Sequence, residues 1–568
     1  MMWSSLAEGR LAGESSSKLP FVRIPSAYSQ LFHGKHDYDL YTVPQINAGA
    51  EAKYWPRAKL LGGCSALNAM IYHYGAPSDY DEWAEFQDSQ DGASGWFYKN
   101  FNEYFMKYEK YHPSEKFPLV DASLRGSSGP VEVGYFGHIS EGTTKFIEAC
   151  DKAGIAHSSP DVNTHKGSLG ATKAMTYISP RGRRVTTESA YLTAAVLARP
   201  NLKVATKAQV TRVLFEQVHE AGGPETRAVG VEFTNPNGEK FRVKARKEVV
   251  LAAGAIHTPQ ILMLSGVGPA DHLTAHNIPV VADLPGVGSH LMDHVVIDLR
   301  YKDKSESSVA FLRGQSFAQR LQLIAALLQY RLKGTGPLAS NLAEAISFVR
   351  SDDPVLFPRE EYPPEQVEED TTSGPGAPDI ELFFTPMAYR QHGQVILLPE
   401  HYFALHAVLL RPTSTGTIRL QSADPREPPL IDPEYLSTEH DVAVLVRAAR
   451  LLTRIVRTEP LASMLDPAGD TDEALDYALG ALDDEALAQR VREKAETLYH
   501  PACTARMAPL PDGGVVDPLL RVHGIANLRV ADASVFPTIV SGHTAAPVIA
   551  VAEKAADLIK ADFKRDSI

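Results

Sequence analysis

The chain has 568 residues, 44% of them hydrophobic and 22% charged, which is the composition of a soluble protein long enough for roughly two to four domains. Its 56 basic and 69 acidic side chains give a net charge of −13, and this acidic balance argues against a nucleic-acid partner. No uncharged apolar run approaches the roughly 18 residues that cross a membrane, so we expect no membrane partner. The opening Met1 to Lys18 lacks the pattern of a secretory signal. Three cysteines and no Asn-x-Ser/Thr sequon favour a reducing, cytoplasmic setting.

The first glycine-rich segment lies within Trp55 to Met70. Gly62 and Gly63 precede small residues, so the backbone there can approach a flat ligand, and Asn68 can hydrogen-bond the edge of a ring. A Gly-Gly turn that opens a helix is also a common structural feature without any ligand. Taken alone, this segment leaves both interpretations open.

The next segments predict part of an α/β sheet. Glu248 to Ala253 has the apolar run of a buried parallel strand and leads through Gly254 into a helical pattern from Thr258 to Leu264. Gly266-x-Gly268 and Gly286-x-Gly288 lack the third small residue of a dinucleotide-binding fingerprint, which favours simple turns.

The middle of the chain predicts a second domain that interrupts the first. Phe317 to Leu332 has helical spacing, and Asp352 to Pro378 predicts a surface loop. Phe383 to Leu420 predicts antiparallel strands, notably Tyr402 to Leu410 and Thr415 to Leu420.

One stretch of this middle region, Gly334 to Ala339, matches the letters of the dinucleotide fingerprint. It follows a helix rather than a strand, and Pro337 lacks the N–H that a pyrophosphate would accept, so we reject it.

The carboxyl-terminal region combines a strand, an acid and two histidines. Leu528 to Ala531 predicts a second buried strand, which ends at Asp532. A helix then begins near Thr544 with Pro547 in its first turn. Its apolar face comprises Val548, Val551, Ala552, Ala555, Leu558 and Ile559. This order is typical of the carboxyl edge of an α/β sheet, where ligands bind.

His500 and His543 each lie beside a turn of small residues near this edge. An isolated histidine before proline is usually a loop or core residue, but two near one sheet edge favour acid–base catalysis, because imidazole titrates near neutrality. We predict no metal site, because His272 and His276 lack the glutamate of a zinc helix and the cysteines show no paired spacing.

Together these segments resemble the glucose-methanol-choline oxidoreductases, flavoproteins that oxidise alcohols. The resemblance spans roughly residues 37 to 560. It implies an α/β (α+β overall) fold in which a Rossmann-like FAD-binding domain (1–80, 180–295 and 495–568) is interleaved with a substrate domain of antiparallel sheet and helices (81–179 and 296–494).

The resemblance also implies roles for individual residues. His500 would take the hydroxyl proton as hydride passes from carbon to the flavin of FAD, and His543 would hydrogen-bond the alcohol oxygen. The implied FAD-binding residues are Gly62, Gly63, Asn68, Val210, Gly254, Asp532, Ala533 and Thr544.

The sequence departs from the family at its start. Members begin with a strand, a Gly-x-Gly-x-x-Gly turn and a helix, whereas this chain begins near the equivalent of the following segment, so we expect the dinucleotide-binding unit to be missing. Three hypotheses remain open: an FAD-dependent alcohol oxidoreductase in secondary metabolism, a flavin-free relative that uses the two histidines for lyase, isomerase or cyclase chemistry, and an inactive binding protein.

The expected partner is a small-molecule alcohol. Aromatic rings in the predicted substrate region suggest an aromatic alcohol, although the same rings are as readily explained as sheet core. The rings are Phe383, Phe384, Tyr402, Phe403 and Phe536. The sequence does not predict an oligomeric state.

Overall fold

The computed structural model describes residues 15–16, 19–87, 90–115, 117, 120–155, 161–220, 223–362, 367, 370–389 and 400–565. The strands are β1 Leu40–Tyr41, β2 Tyr54–Trp55, β3 Glu109–His112, β4 Val131–Gly134, β5 Gly170–Lys173, β6 Gln209–Glu220, β7 Gly223–Thr234, β8 Lys240–Lys244, β9 Val249–Leu251, β10 Val267–Gly268, β11 Ala282–Asp283, β12 Val295–Lys302, β13 Ala345–Val349, β14 Ile380–Thr385, β15 Tyr402–Leu409, β16 Thr417–Arg419, β17 Leu430–Asp432, β18 Glu496–Thr497 and β19 Leu528–Val530. The helices are α1 Pro20–Arg23, α2 Pro77–Glu85, α3 Tyr98–Tyr108, α4 Glu141–Lys152, α5 Thr187–Tyr191, α6 Ala194–Leu197, α7 Gly254–Leu264, α8 Ala270–Ala275, α9 Phe317–Lys333, α10 Glu439–Val456, α11 Asp484–Lys494 and α12 Ala545–Arg565.

The largest sheet is antiparallel and has the strand order β18-β12-β15-β14-β13-β5. Every residue of its central strands β13, β14 and β15 is buried, because helices such as α4 and α10 pack against the sheet. Strands buried on both faces read as continuous apolar runs, which explains why the sequence identified β15 within one residue. β13 was not predicted.

The parallel strands predicted at the ligand-binding edge are confirmed. β9 and β19 pair in parallel, with Val249 opposite Leu528 and Leu251 opposite Val530. In the described part of the chain their sheet has these two strands only, and β6, β7 and β8 form a separate antiparallel sheet beside it. The mixed α/β architecture predicted from the sequence is therefore confirmed.

The helices differ from the predictions mainly at their ends. α7 begins at Gly254 rather than Thr258, and it contains Pro259 in its interior. α9 agrees closely, since a capping box at Ser316 starts it and Gly334, with a φ of 67°, ends it. α12 begins at Ala545, as expected for a helix that starts near Thr544.

Of two predicted segments of the middle region, the first needs correction and the second agrees with the structure. The strand predicted at Thr415 to Leu420 is the short β16, which pairs with β17 instead of joining the large sheet. The predicted loop from Asp352 to Pro378 has no regular helix or strand where it is described, and residues 363–366 and 368–369 lie outside the described residues.

None of the described helices is both long and apolar enough to cross a bilayer.

Candidate active site

A cavity of about 970 Å³ lies where the carboxyl ends of β9 and β19 meet the starts of α7 and α12. Nine of the ten residues predicted for catalysis and FAD binding line it: Gly62, Gly63, Asn68, Gly254, His500, Asp532, Ala533, His543 and Thr544. Val210 is not among the lining residues, because its side chain is buried on β6 while Ala208, two residues earlier, faces the cavity. The structure therefore brings nine of the ten residues together at one cavity, and their roles stay predictions.

The Gly62–Asn68 loop is a tight turn that packs against Glu188 and Arg184. Gly62 has a φ of 88°, and a side chain there would meet the backbone nitrogen of Glu188 at 3.1 Å, so only glycine fits. The buried Arg184 donates to the Asn68 backbone oxygen at 2.6 Å and to Asn68 Oδ1 at 2.9 Å. Asn68 Nδ2 is the donor that this side chain retains for a ligand.

Asp532 has a structural role that the sequence did not predict. Its carboxylate accepts hydrogen bonds from the Gly254 N–H at 2.9 Å, from Thr258 Oγ1 at 2.6 Å and from the Ser534 N–H at 2.8 Å. These bonds tie the end of β19 to the first turn of α7. The N-terminus of α7 consequently faces the cavity, with Gly254 at a φ of 80°.

His500 is held beside a second histidine, His294. Strands β12 and β18 pair so that Val295 lies opposite Thr497, which places the residues that flank this pair side by side. His500 Nδ1 lies 2.9 Å from His294 Nδ1, and the His500 backbone N–H donates to Asp293 Oδ1 at 2.6 Å. Burial raises the pKa of Asp293 to about 6.

The proton positions in this pair follow from its hydrogen bonds. His294 Nε2 lies 3.1 Å from the Val540 carbonyl oxygen, so Nε2 carries a proton and donates it. Burial lowers the pKa of His294 to about 3, so the ring is neutral and Nδ1 is an acceptor. His500 must then donate from Nδ1, which leaves its Nε2 with a free electron pair. Burial, together with His543, His294 and Arg57, lowers the pKa of His500 well below its usual value, so the ring is neutral.

His543 contacts a carboxylate, whereas His500 contacts a second histidine. Its Nε2 lies 2.9 Å from Oε1 of Glu381, a fully buried carboxylate on β14. A carboxylate only accepts, so Nε2 donates and Nδ1 is the ring nitrogen left for a ligand. The rings of His500 and His543 are 5.1 Å apart between centroids and 80° apart in orientation. One small polar group can therefore contact both rings.

The aromatic wall of the cavity differs from the predicted one. Of the five predicted rings only Phe383 lines the cavity, and the other four are buried in hydrophobic clusters, as their alternative explanation required. The rings that do line it beside Phe383 are Tyr28, Phe32, Tyr38, Tyr177, Tyr191, Tyr389 and Tyr499. Thr385 and His406 add polar groups, with His406 Nε2 2.8 Å from Thr385 Oγ1.

The cavity fits the flavin half of an FAD molecule. A backbone cradle at Gly62 and Gly63, two helix N-termini at Gly254 and Ala545, and the paired histidines border the same space. No group of three or more potential metal ligands occurs among the described residues.

Comparisons with known proteins identify the family. A family model described as GMC oxidoreductase matches residues 29–296 for its N-terminal part and 412–552 for its C-terminal part. The chain belongs to the GMC oxidoreductases, and the resemblance found in the sequence is confirmed. Because the N-terminal family model matches, the expected lack of a dinucleotide-binding unit is not confirmed.

Three similar proteins illustrate this relationship. The chain is 39% identical over 563 residues to "Dehydrogenase str4" of Strobilurus tenacellus, covering 97% of this chain and 89% of that protein. It is 33% identical to "Alcohol dehydrogenase [acceptor]" of Pseudomonas putida, covering 95% and 88%. Among solved structures, a formate oxidase of Aspergillus oryzae described for its FAD modification matches with a TM-score of 0.84 and 27% identity, covering 98% and 93%. FAD as the cofactor of such relatives agrees with the prediction from the sequence.

Proposed function

We propose that this chain is an FAD-dependent oxidoreductase that oxidises a small primary or secondary alcohol, with His500 as the base and His543 as the hydrogen-bond donor to the alcohol oxygen. The observation that carries the proposal is the His294–His500 contact of 2.9 Å between Nδ1 atoms, because it leaves His500 Nε2 as an unprotonated acceptor at the cavity. The relative described as an alcohol dehydrogenase supports the substrate class.

FAD would be held by the Gly62–Asn68 loop and the first turns of α7 and α12, and when bound it supplies the acceptor for the hydride that leaves the substrate carbon. The positive end of α12 at Ala545 favours negative charge on a ring placed against it. Val548, Ala552 and Ala556 of α12 continue the cavity wall with small side chains, which leave room for an elongated ligand.

The proton follows a short path in this proposal. His500 Nε2 accepts the hydroxyl proton, and the resulting imidazolium retains its Nδ1 bond to His294. An alkoxide expels hydride far more readily than an alcohol does, so removal of this proton lowers the barrier. His543 donates to the same oxygen from Nδ1 when its ring carries two protons, and the Glu381 carboxylate balances that charge.

The finer predictions from the sequence enter here as proposals. Residues 1–80, 180–295 and 495–568 form the FAD-binding part and 81–179 and 296–494 the substrate part, which agrees with a cavity bordered by segments of both. Rings such as Tyr28, Phe383 and Tyr389 favour an aromatic or otherwise apolar alcohol.

Anaerobic reduction of the flavin tests the proposal. Purified protein is titrated with FAD, freed of excess cofactor and mixed with aliphatic and aromatic alcohols while the flavin absorbance is followed. We expect FAD uptake and bleaching by at least one alcohol, with loss of bleaching in His500→Ala. Protein that takes up no FAD, or bound FAD that no alcohol reduces, contradicts it.

The flavin-free alternative uses the same two histidines. The 5.1 Å between their ring centroids supports it, because proton transfer between His500 and His543 needs no cofactor. Turnover by flavin-free protein that His500→Ala abolishes would establish this alternative instead.

A further inference from the structure

Helix α9 presents its most apolar face to solvent. Successive helical residues are about 100° apart, so one face carries a stripe of Phe317, Leu321, Ile324, Leu328 and Leu332. These five side chains, which we call the α9 stripe, are between 52% and 79% exposed. Surface helices normally turn such a face inward.

The opposite face of α9, which contacts the rest of the protein, is less apolar than the stripe. It carries Gln319, Leu323, Ala326 and Tyr330, of which only Ala326 is fully buried. Tyr330 Oη donates to the backbone oxygen of Arg23 at 3.1 Å, which helps to fix the orientation of the helix. The outward stripe is therefore a property of the folded chain, and contiguous exposed apolar surface of this kind marks an interaction site.

The charges of α9 distinguish between possible partners. The helix contains Arg320, Arg331 and Lys333 and no Asp or Glu, although the chain as a whole has a net charge of −13. Arg320 and Arg331 lie on one flank of the stripe, where long side chains can reach phosphate groups while the stripe enters the acyl boundary. Two copies of α9 packed together would oppose basic residues with basic residues and offer no acidic partner.

We propose that α9 binds an anionic membrane surface, lying in its plane with the α9 stripe buried among the lipids. The stripe runs for about 22 Å along the helix at about 1.5 Å per residue, a typical size for an interfacial amphipathic helix. This proposal departs from the expectation of no membrane partner, which rested on spanning length alone, because a helix that lies in the interface needs no spanning length.

The position of α9 relates this surface to the cavity. The turn Ala310–Arg313 precedes α9, and its Phe311 and Leu312 pack in one hydrophobic cluster with Tyr28 and Tyr389. Both tyrosines line the cavity. Membrane contact through α9 therefore brings the part of the cavity lined by Tyr28 and Tyr389 toward the lipid.

Vesicle flotation of the full chain tests the proposal. The variant Leu321→Gln/Ile324→Gln/Leu328→Gln removes the centre of the stripe, and Ile46→Gln/Val355→Gln/Leu510→Gln is a matched control that removes three exposed apolar side chains elsewhere. We expect the wild type and the control to float with vesicles of phosphatidylcholine and phosphatidylglycerol, and the stripe variant to bind at least about a hundredfold more weakly. Arg320→Gln and Arg331→Gln should each weaken binding about fivefold, and pure phosphatidylcholine should bind less than the mixed vesicles. Circular dichroism melting should be unchanged in every variant, since each altered side chain is exposed.

Several results would overturn the proposal. They are wild-type protein that does not float, a stripe variant that binds as tightly as wild type, or a control that loses binding equally. A wild-type dimer that ignores vesicles and that the stripe variant converts to monomers in light scattering would assign the stripe to a second copy of the chain, which also overturns it.

Discussion

His500 and His543 have the same side chain, but the ring nitrogen that faces away from the ligand contacts a different group in each. His500 is backed by a neutral ring, His294, which passes its own proton to a backbone carbonyl. His543 is backed by the buried carboxylate of Glu381. The neutral ring of His294 keeps His500 free of a second proton, whereas the Glu381 carboxylate accepts from the ring of His543. In the proposed mechanism the same imidazole therefore serves as base in one position and as donor in the other.

The largest expected effect comes from removing the base itself. His500→Ala should lower kcat/KM by about 10²–10⁴-fold, because no other group replaces Nε2 at the alcohol oxygen. Stopped-flow flavin reduction measures this directly, and the FAD content should stay that of wild type. His112→Ala, outside the cavity, is the control. A loss below tenfold in His500→Ala would assign the base to another residue.

Replacing His294, the neutral ring that contacts His500, should give the next largest effect. His294→Phe leaves His500 Nδ1 without its acceptor, so the tautomer is no longer fixed and kcat/KM should fall about 10–100-fold. His294→Asn is the matched control, because Oδ1 takes the place of Nδ1 and can accept from His500. Asn should therefore recover most of the activity. Equal losses in both variants would show that ring packing matters and the hydrogen bond does not.

Replacing Glu381, the carboxylate that contacts His543, should have a smaller effect. Glu381→Gln retains an acceptor for His543 Nε2 and removes only the charge, so we expect kcat to fall about tenfold with KM nearly unchanged. Steady-state kinetics with the best alcohol separates the two constants. An unchanged kcat, or an effect confined to KM, would mean that Glu381 shapes the cavity without supporting charge at His543.

The sequence predicted these positions unevenly, for physical reasons. β9, β19, α9 and α12 carry their periodicity in local sequence, so they were found with small errors at their ends. His500 and His543 were brought together by a general rule about sheet edges. The contact of His294 with His500 depends on a two-residue pairing between β12 and β18, which no local pattern encodes.

Glu381 did leave a sign in the sequence. It is an acid within the apolar run Ile380–Thr385, and a charged residue in a strand buried on both faces requires a partner. The aromatic wall could not be predicted in the same way. When both faces of a sheet are buried, alternation does not distinguish rings that face a cavity from rings that face the core.

The smallest expected effect is a displacement of the pH profile. Since the pKa of His500 is lowered from 6.5, its ring stays neutral through neutral pH, and kcat/KM should decline only as pH falls below about 6.5. Arg57 contributes to this lowering, after burial, His543 and His294. Arg57→Gln removes a positive charge that disfavours the imidazolium, so the pKa should rise and the acid limb should move to higher pH by less than about one unit. Gln can still donate to the Tyr499 carbonyl that Arg57 Nη2 contacts at 2.7 Å, and the exposed Arg426→Gln is the control for charge alone. A wild-type limb above pH 6.5, or a limb that moves to lower pH in Arg57→Gln, would contradict a neutral His500 and remove the distinction between the two histidines.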